Sequence, residues 1–102
     1  MELGIENKIA IVTGSSTGMG YATARSLAMS GAKVLLVSRN INKLKKAVKN
    51  IRFEGGVVDY IAGDVSKIDT PKKVIKKCIK NWGNLHILVN NTGGPPPGNL
   101  LK

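Results

Sequence analysis

This 102-residue chain contains one cysteine, one histidine, four aromatic residues and six acidic side chains. Cys78 has no partner within the chain, which excludes an intramolecular disulfide. His86 has no cysteine or acid at ligand spacing, so no metal site is indicated. No stretch approaches the roughly 18 apolar residues that a membrane span needs. Met1 to Lys8 carries two acids and no apolar segment, unlike a signal peptide. These absences predict a soluble protein in the reducing cytoplasm, with no membrane partner.

The shortage of acids leaves sixteen Lys and Arg and a formal charge of +10. Such a surplus raises nucleic acid as a partner. Its placement argues for solvation instead. Lys43, Lys45, Lys46, Lys49 and Arg52 interleave with one apolar stripe at helical spacing. Lys67, Lys72, Lys73, Lys76, Lys77 and Lys80 accompany another. None of the few aromatics interleaves with the lysines as a stacking platform would require, so nucleic-acid binding ranks last among the functional readings.

What the chain does have is alternation. At this length, with 42% apolar residues, one core and one domain are expected. The runs Lys8 to Thr13, Lys33 to Val37, Val57 to Ala62 and His86 to Val89 are short and nearly continuous in apolar residues, the pattern of strands buried on both faces. Between them lie three helical patterns. The first runs from about Gly18 to Ser30 and is closed by Gly31. The second has Asn40 as its cap and ends at Gly55 and Gly56. The third opens on Asp69-Thr70-Pro71, with Asp69 as the capping residue, and ends at Gly83. The order β-α-β-α-β-α-β predicts an α/β fold: a doubly wound parallel sheet with strand order 3-2-1-4 and a ligand crevice at the strands' C-terminal ends.

Directly after the first strand stands Thr13-Gly14-Ser15-Ser16-Thr17-Gly18-Met19-Gly20. In a strand-to-helix turn, Gly14 permits the sharp exit. Gly18 lets backbone approach a pyrophosphate, and Gly20 lets the helix pack close to the sheet. The helix N-terminus then offers unpaired N–H groups and the positive end of its dipole to phosphates. Such a triplet alone is equally a plain glycine-rich turn; its position between strand and helix favours the nucleotide reading.

The segment TGSSTGMG resembles the TGxxxGxG signature of the short-chain dehydrogenase/reductase family. Asn90-Asn91-Thr92-Gly93 resembles that family's NNAG, with Thr92 in place of alanine and a stiffer Gly94-Pro95-Pro96-Pro97-Gly98 following. Asp64-Val65 resembles its adenine-contacting pair. The resemblance covers essentially the whole chain in the right order. It implies a cofactor-binding set of Gly14, Ser16, Thr17, Gly18, Met19, Gly20, Ser38, Arg39, Asp64, Val65, Asn90, Thr92 and Gly93. Where NAD-selective sites place a carboxylate after the second strand, this chain has Ser38. Ser38 cannot repel a 2′-phosphate and Arg39 can pair with one, which selects NADP(H).

The family's catalytic Ser and Tyr-x-x-x-Lys find no match here. Tyr21 and Tyr60 fall on elements used for folding and adenine binding, and Ser15 and Ser16 have no basic partner. The chain thus reads as an NADP(H)-binding Rossmann half, truncated relative to the family and inactive alone. In the family setting it would serve hydride transfer between NADP(H) and a carbonyl or alcohol. The resemblance extends to 3-oxoacyl carrier-protein reductases and sugar dehydrogenases without choosing between them. A non-catalytic NADP(H)-binding or interaction module is the alternative. An apolar fourth strand at a sheet edge predicts self-association.

Overall fold

A computed structural model describes residues 4–67 and 69–91. The strands are β1 (Ile9–Thr13), β2 (Lys33–Ser38), β3 (Val57–Ala62) and β4 (Ile87–Val89). They alternate with α1 (Gly18–Met29), α2 (Ile41–Phe53) and α3 (Thr70–Trp82). All pairings are parallel, in the order β3-β2-β1-β4, which is the doubly wound arrangement that the alternation of elements predicts.

Both faces of the inner strands are covered, which explains why their apolar runs are unbroken. Ala10, Val12, Val34 and Leu36 point to α1 and α2, where they meet Ala24, Ala28, Leu44, Val48 and Ile51. Ile9, Ile11, Leu35 and Val37 point the other way, to Val74 and Cys78 of α3. Each buried aliphatic side chain contributes about 1.5–3 kcal/mol, so β1 and β2 anchor both layers. Helix α1 presents mostly small residues to the sheet, and Gly20, Ala24 and Ala28 are its buried positions. Cys78 lies in the α3 core as the periodicity suggests, where burial pushes its thiol above the ordinary value.

The outer strands depart from the expectation of burial on both faces. In β3 only Val58 is fully buried, and β4 is short, with Leu88 at its centre 62% exposed. Among the described residues each lies at an edge of the sheet.

Local signals at the helix ends mostly hold. Asn40 caps α2, its side chain accepting the Lys43 N–H at 3.0 Å. Gly31 and Gly83 have φ of 99° and 79°, the left-handed geometry that ends a helix. The expected cap by Asp69 is corrected. Asp69 occupies the N-cap position of α3 but is itself in the right-handed helical region, at φ −82° and ψ −19°, and makes no side-chain cap bond. A capping side chain needs an extended backbone to fold back onto the first-turn amides. Asp69 contributes only its carbonyl, which accepts the Lys73 N–H at 3.2 Å.

His86 has a structural task. Its Nδ1 accepts the Ile9 N–H at 3.0 Å while its own N–H donates to the Ile9 carbonyl at 2.8 Å, closing the β1–β4 pair at its start.

At the free edge of β3, Arg52 donates to the Val58 carbonyl at 2.9 and 3.2 Å. Asp59 there accepts from Asn81 at 2.8 Å, with Lys77 Nζ at 3.6 Å. Burial alone would raise the Asp59 carboxyl, but the Tyr60 N–H, Asn81, Lys77 and Arg52 outweigh it and hold it below the usual range. A carboxyl depressed by folding stabilises the protein above its unfolded pKa, and that contribution is lost as pH falls through the folded value. Asp59→Asn is therefore expected to cost about 1–2 kcal/mol at neutral pH. It should also flatten the loss of stability below about pH 4, as read by urea unfolding across an acid series.

Candidate nucleotide-binding site

The crevice opens where β1, β2 and β3 end. The first turn after β1 is fixed by two hydroxyls. Buried Ser15 accepts the Val37 N–H on Oγ at 3.0 Å and donates to the Val12 carbonyl at 2.8 Å, while its own N–H reaches the Val37 carbonyl at 3.1 Å. The two bonds to Val37 continue the β1–β2 pairing two residues past the end of β1. Thr13 does the same toward β4: its Oγ1 donates to Asn90 Oδ1 at 3.0 Å and accepts the Asn91 N–H at 2.8 Å.

Gly14 turns the chain at φ +59°, and a Cβ there would overlap the Asn91 carbonyl. A Cβ on Gly20 would overlap the Gly14 carbonyl and crowd the Asn91 amide. The close helix-to-sheet packing assigned to Gly20 is thus a contact with the backbone of Gly14 and the side-chain amide of Asn91. Gly18, at φ +62°, has nothing near its Cβ position, so the space above it is open. Thr17 precedes α1 in an extended conformation with no side-chain cap bond. The first-turn amides, which lack intrahelical acceptors, are therefore not capped by that side chain.

The resulting cleft has a volume of about 450 Å³. It gathers Gly14, Ser16 and Thr17 from the loop, Ser38 and Arg39 from the end of β2, and Asp64 and Val65 from the end of β3. Ser16 Oγ and Ser38 Oγ lie 2.9 Å apart across it. Asp64 Oδ1 accepts both the Ser66 hydroxyl at 2.7 Å and the Ser66 N–H at 2.9 Å. Those two bonds, with Arg39 and Lys67 adding positive charge, hold its carboxyl below the usual range. The cleft therefore has an ionised acid on one wall and Arg39 on another.

Not every expected residue lines it. Met19 is on the first turn of α1 and 79% exposed, outside the cleft. Asn90 lines a second, apolar cavity of about 340 Å³ between α3 and β4, whereas the next residue, Asn91, faces the cleft. Asn91 was absent from the expected set, though the pleat offered the signal: consecutive residues leaving a strand face opposite sides. Thr92 and Gly93 lie outside the described residues. Tyr21 faces a groove between α1 and α2, and Tyr60 packs on the core beneath those helices. Among the described residues no group of three potential metal ligands occurs, and no helix is long and apolar enough to cross a membrane.

Comparison with known proteins finds matches to both the sequence and the fold. The short chain dehydrogenase family model matches residues 8–102. The chain belongs to that family. An uncharacterized oxidoreductase of Listeria monocytogenes is 38% identical over 100 residues, covering 96% of this chain and 40% of the relative. The structure of L-sorbose reductase from Gluconobacter frateurii, complexed with NADPH and L-sorbose, superposes with a TM-score of 0.88 at 36% identity. That match covers 92% of this chain and 36% of the reductase. A family member from Burkholderia phymatum in complex with NAD gives 0.80 at 27% identity, over 82% of this chain and 30% of its own. The chain thus spans about 40% of the length of the Listeria relative.

The backbone contact predicts a contrast between two glycines. Gly20→Ala forces the Gly14 turn and Asn91 apart and is expected to destabilise the fold by about 3 kcal/mol or more, the upper end of the cost of overpacking. Gly18→Ala meets no neighbour and should cost only the left-handed backbone penalty, about 1–2 kcal/mol. Thermal unfolding by circular dichroism separates them, and equal melting temperatures would contradict the three-way packing.

Proposed function

We propose that this chain binds NADP(H) in the cleft, as the cofactor-holding part of an oxidoreductase that moves hydride between NADP(H) and a carbonyl or alcohol substrate. The observation that carries the choice of cofactor is the end of β2, where the Ser16–Ser38 hydroxyl pair lies beside Arg39 and no carboxylate occupies the Ser38 position. One serine donates to the other, which leaves the second proton free for a phosphate oxygen. Arg39 adds a planar cation suited to the same group. The open space over Gly18 and the uncapped turn of α1 suit a pyrophosphate, and the resident nicotinamide would supply or accept the hydride.

In this reading Gly14, Ser16, Thr17, Gly18 and Gly20 serve the phosphates, with Met19 at the rim. Asp64 and Val65 serve the adenine, and Asn90, Thr92 and Gly93 the far end, with Asn91 now added. Residues 1–102 act as a single cofactor-binding half-domain in the cytoplasm. Neither Tyr21 nor Tyr60 lines the cleft, so the chain alone binds without turnover. Titration of the full chain should show NADP+ bound more tightly than NAD+. Arg39→Ala should weaken NADP+ roughly tenfold or more, and Ser38→Asp should reverse the preference. Equal affinity for the two nucleotides in the unsubstituted chain would defeat the assignment.

A second role, self-association, rests on the contrast between the sheet edges. Arg52 and Asp59 guard β3, whereas β4 presents Leu88 and an apolar cavity. Two copies joined along β4 would cover both. Sedimentation at high concentration is expected to show a dimer that Leu88→Lys disperses, and a monomer throughout would refute it.

A further inference from the structure

Past Arg39 the cleft continues onto the first turn of α2, where a concavity of about 500 Å³ is lined by Ser16, Thr17, Ser38, Arg39, Asn40 and Lys43. Its walls carry two cations and no carboxylate. Glu54 pairs with Arg25 and Asp59 with Arg52 and Lys77, while Asp64, hydrogen-bonded to Ser66, acts on Arg39 only as a charge across the neighbouring cleft. Among the described residues, no ion pair includes Arg39 or Lys43. Lys43 is held at this wall by the Asn40 cap, whose bond to the Lys43 N–H fixes where α2 begins. That same bond occupies the Lys43 amide, so this residue offers its side-chain charge.

We propose that Lys43 is a specificity-determining residue, the second cation of a 2′-phosphate subsite that it shares with Arg39. The inference rests on the NADP(H) reading above and assigns a new residue to it. A 2′-phosphate near neutral pH carries close to two negative charges, more than one solvent-exposed guanidinium neutralises. Exposed charges are individually weak, and a pair converging on one anion is needed for marked discrimination. The two groups differ in kind: Arg39 offers a planar fork and Lys43 a mobile point charge from the helix side. The Ser16–Ser38 pair forms the floor between them. Lys46, one turn along α2, lines only the neighbouring groove toward Tyr21 and Asn50, and so serves as the internal control.

The test is titration of the full chain and its Lys43→Gln, Lys43→Arg, Lys46→Gln and Arg39→Ala variants with NADP+ and NAD+ at two salt concentrations. Circular dichroism would confirm the fold of each variant. Lys43→Gln should weaken NADP+ roughly tenfold with NAD+ within about twofold, and should lessen the salt dependence of NADP+ binding. Lys43→Arg should retain most of the affinity, and Lys46→Gln should match the unsubstituted chain. If Arg39→Ala weakens NADP+ and Lys43→Gln does not, the role of Lys43 fails and the NADP(H) reading stands. Equal weakening of both nucleotides by Lys43→Gln, or an equal loss in Lys46→Gln, would reduce Lys43 to general surface charge and overturn the proposal. Failure of the unsubstituted chain to prefer NADP+ overturns both readings.

Discussion

The meeting of three backbone segments, at Gly14, Gly20 and Asn91, is the constraint on which the site depends. None of the three contacts leaves room for a Cβ on either glycine. Because Gly20 lies against the Gly14 carbonyl, the start of α1 is pressed onto the end of β1, and its first-turn amides stand over the crevice. The hydroxyls of Thr13 and Ser15 lock the same turn sideways to β4 and β2. Both are buried and both have partners, so the turn is stiff without an unsatisfied polar group. The apolar layers place the strands; this small polar and glycine knot decides what their ends can hold.

Charge is distributed by a related logic. Two of the described acids are drawn into pairs that link separate elements, Glu54 with Arg25 and Asp59 with Arg52, Lys77 and Asn81. Asp64 is the acid that lines the cleft, and it is held ionised by Ser66. What is left over is positive, spread along the outer faces of α2 and α3. Those faces are mostly exposed, as their interleaving with apolar stripes implies. The surplus matters most beside the cleft, at Arg39 and Lys43, because the concavity that these two share is otherwise lined by hydroxyls and an amide, with Asp64 confined to the adjoining cleft.

The fold was legible because its inner strands are buried on both faces, which turns position in the sheet into unbroken runs such as Ile9 to Thr13. Helix periodicity, the Asn40 cap and the glycines behind each helix were readable for the same reason, since each is a local requirement. Asp69 was misread as a side-chain cap because composition shows the residue type but not its backbone angles. The crevice was readable from the glycine spacing and from Ser38-Arg39. Its walls were less so. Ser15, Thr13 and His86 bridge residues far apart in sequence, and nothing local distinguishes a hydroxyl that staples two strands from one on a loop. The resemblance identifies the segment Asn90-Asn91 but not which of the two neighbours lines the cleft, which the backbone geometry decides.

The two edges of the sheet bear on the site unequally. Along β3, Arg52 occupies a main-chain acceptor that another strand would need, and inward-facing Asp59 would have to lose its partners for a new strand to approach. Along β4 no such group occurs among the described residues, and the apolar cavity beside it reaches Leu85, Leu88 and Ile75. Asn90 lines that cavity while Asn91 lines the nucleotide cleft. Whatever covers β4 therefore presses on one side of a single peptide whose other side is a wall of the cleft, where the Asn91 N–H is held by Thr13.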